Sequence, residues 1–303
     1  MSVVPTAVIV GFPKCGTSSL FDWLASHPDI GGSTPKETYF FVDPGTHMYN
    51  SKAHAANGLS GYREFFTAEA AARPVRLEAT PSYVYSRTAL ELLPDLNPDM
   101  RFIFLVREPA RQIYSLYQYF KNNWDWIATD MSFKTFLEHS RNGSHAFKGN
   151  ELAVHALENA RYVDHLDRWR ARVGRERMTI LVMEEFMRDP VTGLHGLCTT
   201  LGVDPSFFDD FDFRSSNETY QVRRAWLQRF NIGVRSRLPK GLFYRGLRSV
   251  YRKLNTARPA GPDAAEADAV ATLRQAYGAH NDALAERYGL DLSSWMKAPG
   301  LPS

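Results

Sequence analysis

The sequence predicts an α/β fold with a central parallel sheet of about five strands flanked by helices, and three observations predict it. Short apolar runs, such as AVIV at 7–10 and RFIFLVR at 101–107, alternate with segments of helical periodicity. A turn containing glycine follows the first run and leads directly into a helical pattern. The chain of 303 residues is long enough to bury a sizeable core, and it contains no internal repeat. This alternation is typical of a parallel sheet covered by helices on both faces.

The predicted elements follow one another along the whole chain. In order they are strand 7–10, helix 17–26, strand 76–80, helix 86–96, strand 101–107, helix 109–121, helix 157–173 and strand 178–186. Residues 31–60 are rich in Gly, Ser, Thr and His and predict a long irregular loop, of the kind that often lines a binding site. A second loop is predicted at 257–270, before the last helix.

Composition narrows the function classes. A net charge of +3 over 303 residues does not suggest a general nucleic-acid binder. Two cysteines cannot form a disulfide framework, which favours a reducing compartment. No apolar run approaches the roughly 20 residues that a membrane-spanning helix needs, and the first residues lack the basic segment of a signal peptide. We therefore expect a cytoplasmic protein.

The turn after the first strand, GFPKCGTS at 11–18, has the architecture of a phosphate-binding loop. A helix start offers unpaired backbone N–H groups and a positive dipole end to an anion. In the ATP- and GTP-binding motif G-x-x-x-x-G-K-[ST] the lysine follows the second glycine. Here Thr17 occupies that position, and the lysine, Lys14, lies inside the turn. No aspartate ends the strand at 101–107, so the pattern favours an anion of lower charge that is bound without a metal ion.

The segment FPKCGTSSLFDWLASHPDI resembles the phosphosulfate-binding loop of sulfotransferases that use 3′-phosphoadenosine 5′-phosphosulfate (PAPS). The resemblance implies a P-loop-like fold and a PAPS donor bound without a metal. It places Lys14 at the bridging oxygen of the donor. The loop residues that it implies as contacts of the donor are Pro13, Lys14, Cys15, Gly16, Thr17, Ser18 and Ser19.

FLVREPARQIYSLYQYF resembles the segment of this family that binds the 3′-phosphate. Arg107 and Ser115 stand two helical turns apart, so that a guanidinium and a hydroxyl can face one phosphate. The alternative is that Arg107 forms a surface ion pair with Glu108 or another acid. Asn217, in SSNETY, and Lys240, in PKG, resemble further nucleotide contacts of the family, although Asn217 may equally cap a turn.

The resemblance extends through YVDHLDRWRARVGRERMTILVMEEFMRDP to the ending YGLDLSSW, and it implies one sulfotransferase domain over 1–303. A basic segment at about 222–260 interrupts it. Residues 222–258 contain eleven Lys or Arg and no Asp or Glu. In the family this region covers the nucleotide, but it could also contact an anionic membrane peripherally, receive an acidic or lipid-linked acceptor, or simply be a solvated face.

PKETYFF at 35–41 resembles the E-x-x-F-F element of the heparan sulfate branch, in which the glutamate is the proposed general base. Carried over, that residue is Glu37, and the alternative is an ordinary ion pair with Lys36. In EATPSY, Ala79 stands where this branch has a lysine. We hypothesise that Lys36 supplies the missing charge. His47 and His54 are reserve candidates for the base.

The sequence therefore predicts a PAPS-dependent sulfotransferase that acts on a hydroxyl of a carbohydrate or small molecule, not on nucleic acid. A kinase of small molecules is the first alternative, and it would need magnesium and a carboxylate to hold it. The second is a nucleotide-binding module without catalysis, which Ala79 keeps open. Trp124 and Trp126 could stack an acceptor or pack beneath a cover.

Overall fold

The computed structural model describes residues 3–124, 126–213, 221–222, 256–257 and 262–296. Five strands form its central sheet: β1 (Ala7–Gly11), β2 (Ile30–Gly32), β3 (Val75–Ala79), β4 (Arg101–Val106) and β5 (Met178–Val182). They pair in parallel in the spatial order β2-β3-β1-β4-β5. The predicted α/β fold is confirmed, with β1 at the centre of the sheet.

Helices flank the sheet and supply the crossovers that parallel pairing requires. They are α1 (Thr17–Leu24), α2 (Ala68–Ala72), α3 (Arg87–Leu96), α4 (Pro109–Asn122), α5 (Phe133–Asn142), α6 (Glu151–Val154), α7 (Ala156–Asn159), α8 (Tyr162–Val173), α9 (Met183–Arg188), α10 (Pro190–Leu201), α11 (Ala264–Ala276), α12 (Gly278–Tyr288) and α13 (Ser293–Met296).

The central strands are buried on both sides, as their unbroken apolar sequences predict. Every residue of β1 is buried, and in β4 only Arg101 is not. The strand β1 pairs with β3 through Val8 and Glu78, and with β4 through Ile9 and Ile103. The carboxyl ends of these three strands therefore meet at one edge of the sheet, where open α/β folds bind ligands.

Trp169 shows how the helices are fixed on this sheet. It is 1% exposed, its ring lies 5.3 Å from the ring of Phe102, and its Nε1 donates to Val84 O at 3.1 Å. Tyr162 and Leu166 of the same helix, α8, are also buried. Their spacing of three and four residues places them on one face of α8, which packs these side chains into the core.

Four predicted elements need correction. Strand 178–186 ends at Val182, and Met183–Arg188 is helical, because its first-turn glutamates suit a helix start. The helix predicted at 157–173 is two helices, α7 and α8. The loop at 31–60 overlaps a strand, β2, and contains a 3-10 turn. The loop at 257–270 is shorter than predicted, since Asp263 and Glu266 form a capping box that starts α11.

Little of the basic segment at 222–260 belongs to the described part of the chain. Gln221–Val222 and Thr256–Ala257 form a short antiparallel pair, β6 and β7, which brings the two ends of the segment together. Among the described helices, none has both the length and the apolar character needed to cross a membrane.

Candidate active site

The turn between β1 and α1 forms a cup at the carboxyl edge of the sheet. Lys14 and Gly16 both have positive φ angles, 67° and 86°, which curl the backbone tightly. Gly16 is the N-cap of α1, and no side chain of the described residues caps the helix start there. The first N–H groups of α1 are therefore free to bind an anion, with the positive end of the helix dipole behind them.

The cup is held in shape by donors that bind its carbonyl groups. Gln112 Nε2 donates to Pro13 O at 2.9 Å, and Arg107 Nη1 donates to Lys14 O at 3.1 Å. Gln112 is buried on α4, and its role was not found in the sequence. Because these carbonyl oxygens are already bound to donors, they repel an anion in the cup less strongly.

Cys15 anchors the cup to the core. Its Sγ lies 3.8 Å from the hydroxyl of Tyr162, and the Tyr162 ring packs 4.5 Å from that of Phe12. Burial raises the pKa of Cys15 to about 12, so the residue is a neutral thiol at ordinary pH. It therefore lies behind the cup, as a packed side chain. Ser19 is also buried, on α1.

Lys36 reaches the rim of the cup from the loop after β2. Its Nζ donates to Ser18 Oγ at 2.8 Å and to Thr17 Oγ1 at 3.5 Å. The same Nζ lies 3.2 Å from Glu37 Oε1. One ammonium group thus connects the hydroxyls of the helix start with the candidate base.

Glu37 has a partner on each carboxylate oxygen. Lys36 lies at Oε1, and the hydroxyl of Tyr39 donates to Oε2. The Glu37 side chain is 34% exposed, which leaves it accessible to an acceptor. Tyr39 has a φ of 53°, a left-handed conformation that is uncommon outside glycine and that turns its ring back toward Glu37.

The surroundings of Lys14 disfavour the charged form of its side chain. Burial, followed by the charge of Arg107, lowers the pKa of Lys14 to about 8, while Glu37 acts in the opposite direction. Its Nζ lies 4.1 Å from the centre of the Tyr119 ring, a cation–π contact. Tyr119 was not singled out in the sequence, because helical spacing does not show that α4 points it at the cup.

Arg107 follows β4 directly and lies beside the cup. The alternative ion pair with Glu108 is not the one formed, since Glu108 accepts from two N–H groups at the start of α4 and lies 3.6 Å from Arg274. Burial and the charge of Arg107 together lower the pKa of Arg111, one turn further on. Ser115 is half-buried on α4, and its predicted role toward a phosphate is not tested by any contact.

Glu78 is a buried carboxylate that the sequence analysis missed. It lies next to the end of β3 and is 0% exposed. Hydroxyls of Tyr62, Thr38 and Thr80 donate to it at 2.6, 2.7 and 2.8 Å. Burial raises its pKa, and these hydroxyls work against that rise. The one signal in the sequence was an acidic residue near the end of a predicted strand, RLEAT.

The reserve histidines have other partners. His54 is buried, with Nε2 2.7 Å from Val42 O and Nδ1 accepting from Ala56 N–H, so it stabilises the loop. His47 Nδ1 lies 2.8 Å from Glu151 Oε2. The ring of Trp126 packs edge-on against His47 at 4.7 Å, and Trp124 stacks on Trp126 at 4.9 Å.

The structure thus brings Lys14, Lys36 and Glu37 together at the start of α1, around Thr17 and Ser18. Asn217 and Lys240 lie outside the described residues, as does most of the 222–260 segment. Ala79 is fully buried at the end of β3. Within the described ranges, no group of three or more His, Cys, Asp or Glu is arranged to hold a metal ion.

The sequence of this chain is similar to those of known sulfotransferases. A bifunctional heparan sulfate N-deacetylase/N-sulfotransferase of Drosophila melanogaster is 26% identical over 220 residues, which is 67% of this chain and 20% of that protein. The human N-deacetylase/N-sulfotransferase 2 is 25% identical over 220 residues, 67% of this chain and 22% of its own length. The chain thus spans about a fifth of the length of these relatives.

A crystal structure of a sulfotransferase from Alicyclobacillus acidocaldarius shares the fold. It has a TM-score of 0.61 and 21% sequence identity, and the alignment covers 97% of this chain and 99% of that one. The family model described as the sulfotransferase family matches residues 5–210, more than half of the chain, including the cup and the Glu37 loop. The protein is therefore a member of the sulfotransferase family.

Proposed function

We propose that the protein transfers a sulfuryl group from PAPS to a hydroxyl of a carbohydrate or small-molecule acceptor. One observation carries the proposal: Lys14, Lys36 and an uncapped helix start surround one cup, and a half-exposed carboxylate borders it. A phosphosulfate supplies the anion that such a cup needs. Membership of the sulfotransferase family supports the reaction type.

In the proposed mechanism Glu37 accepts the proton of the acceptor hydroxyl as the acceptor oxygen forms its bond to sulfur. The bond between sulfur and the bridging oxygen breaks, and its electron pair stays on the departing phosphate. Lys14, held at the base of the cup, stabilises that developing charge. Lys36 neutralises the transferring group from the other side and keeps Glu37 near it. The products are a sulfate ester, adenosine 3′,5′-bisphosphate (PAP) and the proton on Glu37.

For the second phosphate of the donor, Arg107 is the proposed partner, with Ser115. Its guanidinium already lies at the cup through its bond to Lys14 O. Arg111 and Ser115 are four residues apart and so share one face of α4, where Arg111 adds positive charge beside Ser115. The proposal also assigns contacts with the donor to Asn217 and Lys240 and a covering role to the 222–260 segment.

The acceptor is proposed at the level of its reacting group only. The relatives are named for N-sulfation of heparan sulfate, which is transfer to an amine, so an amino sugar belongs among the probes beside hydroxyl compounds. Glu37 can accept a proton from either group. A peripheral membrane contact and a cytoplasmic location remain expectations.

Calorimetry tests the donor site. PAP should bind without magnesium and more tightly than ATP, whether or not magnesium is present. The protein should then be incubated with PAPS and one of four acceptors: 4-nitrophenol, N-acetylglucosamine, glucosamine or N-desulfated heparan sulfate. Mass spectrometry shows whether the acceptor gains the mass of one sulfate. Preference for ATP with magnesium would favour the kinase. Tight binding of PAP without transfer to any acceptor, including a wider metabolite pool, would favour the non-catalytic module.

A further inference from the structure

The loop that carries Glu37 is bound to the end of β3 through its backbone. Four consecutive N–H groups, those of residues 38–41, all donate to side-chain hydroxyls. Thr38 and Tyr39 donate to Thr80 Oγ1 at 3.1 and 3.4 Å. Phe40 donates to Thr38 Oγ1 at 3.2 Å, and Phe41 donates to the hydroxyl of Tyr83 at 3.1 Å.

The protons of those hydroxyls lead to one carboxylate. Thr80 and Thr38 each donate to Glu78 Oε1, at 2.8 and 2.7 Å. The Tyr83 hydroxyl lies 2.9 Å from Thr38 Oγ1 and donates to it, since the Thr38 proton is already committed to Glu78. Each hydroxyl can accept the backbone N–H groups because its own proton is bound elsewhere. Glu78 therefore determines which partner donates and which accepts in each of these hydrogen bonds.

We propose that Glu78 is a positioning residue that fixes the 36–41 segment through buried hydroxyls and so holds the Glu37 carboxylate at the cup. This inference rests on the proposed function, in which Glu37 is the base. Glu78 is 0% exposed and does not touch the cup itself, so it acts through Thr38 and Thr80. Residues 36–41 are not part of a helix or strand, so no regular backbone hydrogen bonds order them. The side-chain hydroxyls take the place of those bonds.

Lys36 is fixed by the same neighbourhood. Its carbonyl accepts from Ala79 N–H at 3.4 Å and from Ser33 Oγ at 2.9 Å. Both residues of the candidate pair, Lys36 and Glu37, thus project from a backbone that is attached to β3 on either side of them. A small displacement of this backbone would move the base away from the acceptor, and a misplacement of about 1 Å can cost roughly 10²-fold in rate.

The chain offers a matched pair of variants. Thr80→Val removes one hydrogen bond to Glu78 and leaves two loop N–H groups without an acceptor. Tyr62→Phe also removes one hydrogen bond to Glu78, at Oε2, but Tyr62 makes none to the loop. Thr80→Ser keeps the hydroxyl and serves as the rescue. Thr80→Val and Tyr62→Phe nearly preserve volume, whereas Thr80→Ser removes one methyl group, and thermal unfolding checks that each variant folds.

Three measurements test the inference: deuterium exchange of the peptide that spans 36–42, the affinity for PAP, and turnover of PAPS with the acceptor that gains sulfate, or with water if none does. We expect faster exchange and roughly 100-fold slower turnover in Thr80→Val. Its affinity for PAP should stay within about 3-fold, and Tyr62→Phe and Thr80→Ser should resemble the parent protein.

The outcomes separate the two proposals. If Thr80→Val and Tyr62→Phe behave alike in exchange and turnover, or if exchange rises while turnover does not fall, the positioning role of Glu78 is wrong. If Glu37→Gln retains full turnover, the base is wrong, and the positioning role is lost with it. If Glu37→Gln is slow and Thr80→Val is not, only the inference about Glu78 fails.

Discussion

Lys36 Nζ lies 2.8 Å from Ser18 Oγ, and this contact joins two segments that are 18 residues apart in the chain. It places a second ammonium group at the rim of a cup whose first one is Lys14. Both cations border the uncapped start of α1. The contact is the geometric basis for the hypothesis that Lys36 supplies the charge that is missing at Ala79.

Lys36→Met should lower turnover by about 10²-fold, because it removes one electrostatic donor from the transferring group. The methionine keeps the length of the side chain, so a loss can be assigned to the charge. Turnover of PAPS under saturating donor is the measurement. Lys52→Met, at an exposed lysine in the following loop, is the control. Unchanged turnover in Lys36→Met would refute the compensating role.

Glu37→Gln should reduce turnover by roughly 10²- to 10⁴-fold, the range that a general base contributes. The amide oxygen can still accept from Lys36, and the amide NH2 group can donate to the Tyr39 hydroxyl, so the loop should keep its position. Affinity for PAP, measured by calorimetry, should therefore change little. A loss of PAP affinity as large as the loss of turnover would indicate that Glu37 orders the donor site rather than accepting a proton.

Binding of PAP should weaken as the pH rises above about 8. The pKa of Lys14 in the folded protein is lowered to about 8, so the side chain is charged below that pH and increasingly neutral above it. A bound anion favours the charged form, so binding above pH 8 takes up a proton and costs affinity. The affinity should be insensitive to this group below about pH 7.

Calorimetry in buffers of different ionisation enthalpy measures that proton uptake between pH 7 and 9.5. Lys14→Arg is the control, because a guanidinium stays charged over the whole range. We expect its PAP affinity to show no fall above pH 8. An equal fall in both proteins would show that another group, and not Lys14, titrates on binding.

Arg107→Ala should reduce the affinity for PAP more than that for 5′-AMP, since both nucleotides depend on the cup that Arg107 supports through Lys14 O but only PAP carries the 3′-phosphate. A hydrogen bond to a charged group contributes about 1.5–3 kcal/mol, which corresponds to a loss of roughly 10- to 100-fold. Arg101→Ala is the matched control, because Arg101 begins the same strand, β4, at its opposite end. Equal losses for both nucleotides would place Arg107 away from the 3′-phosphate.

Gly16→Ala should destabilise the protein by about 1 kcal/mol, because Gly16 has a φ of 86° that an alanine adopts at a cost. It should also weaken PAP binding, since Gly16 shapes the cup. Gly202→Ala carries a similar backbone cost, with a φ of 71° at the end of α10, away from the cup. Denaturant unfolding and calorimetry should show loss of stability in both variants and loss of PAP affinity in Gly16→Ala alone.

Where the information is local, the sequence predicted the structure well. The strand β1, the turn with Lys14 and Gly16, and the start of α1 are contiguous, so their order and their backbone preferences specify the cup directly. The apolar run at 101–107 predicted β4 for the same reason. The wrong predictions lie where local signals compete. At Met183–Arg188, for example, an apolar run typical of a strand leads directly into glutamates that favour the first turn of a helix.

By itself the sequence determined the fold class and the glycine-containing turn before α1, and it singled out Lys14 and Glu37 as candidates. Only the tertiary structure decided that Lys36 reaches Ser18, that Tyr119 lies under Lys14, and that Glu78 accepts from the hydroxyls that bind the Glu37 loop. These pairs come from separate crossovers of a parallel sheet. The distances within these pairs depend on how the helices and strands pack against one another. The spacing of residues along the chain does not specify that packing.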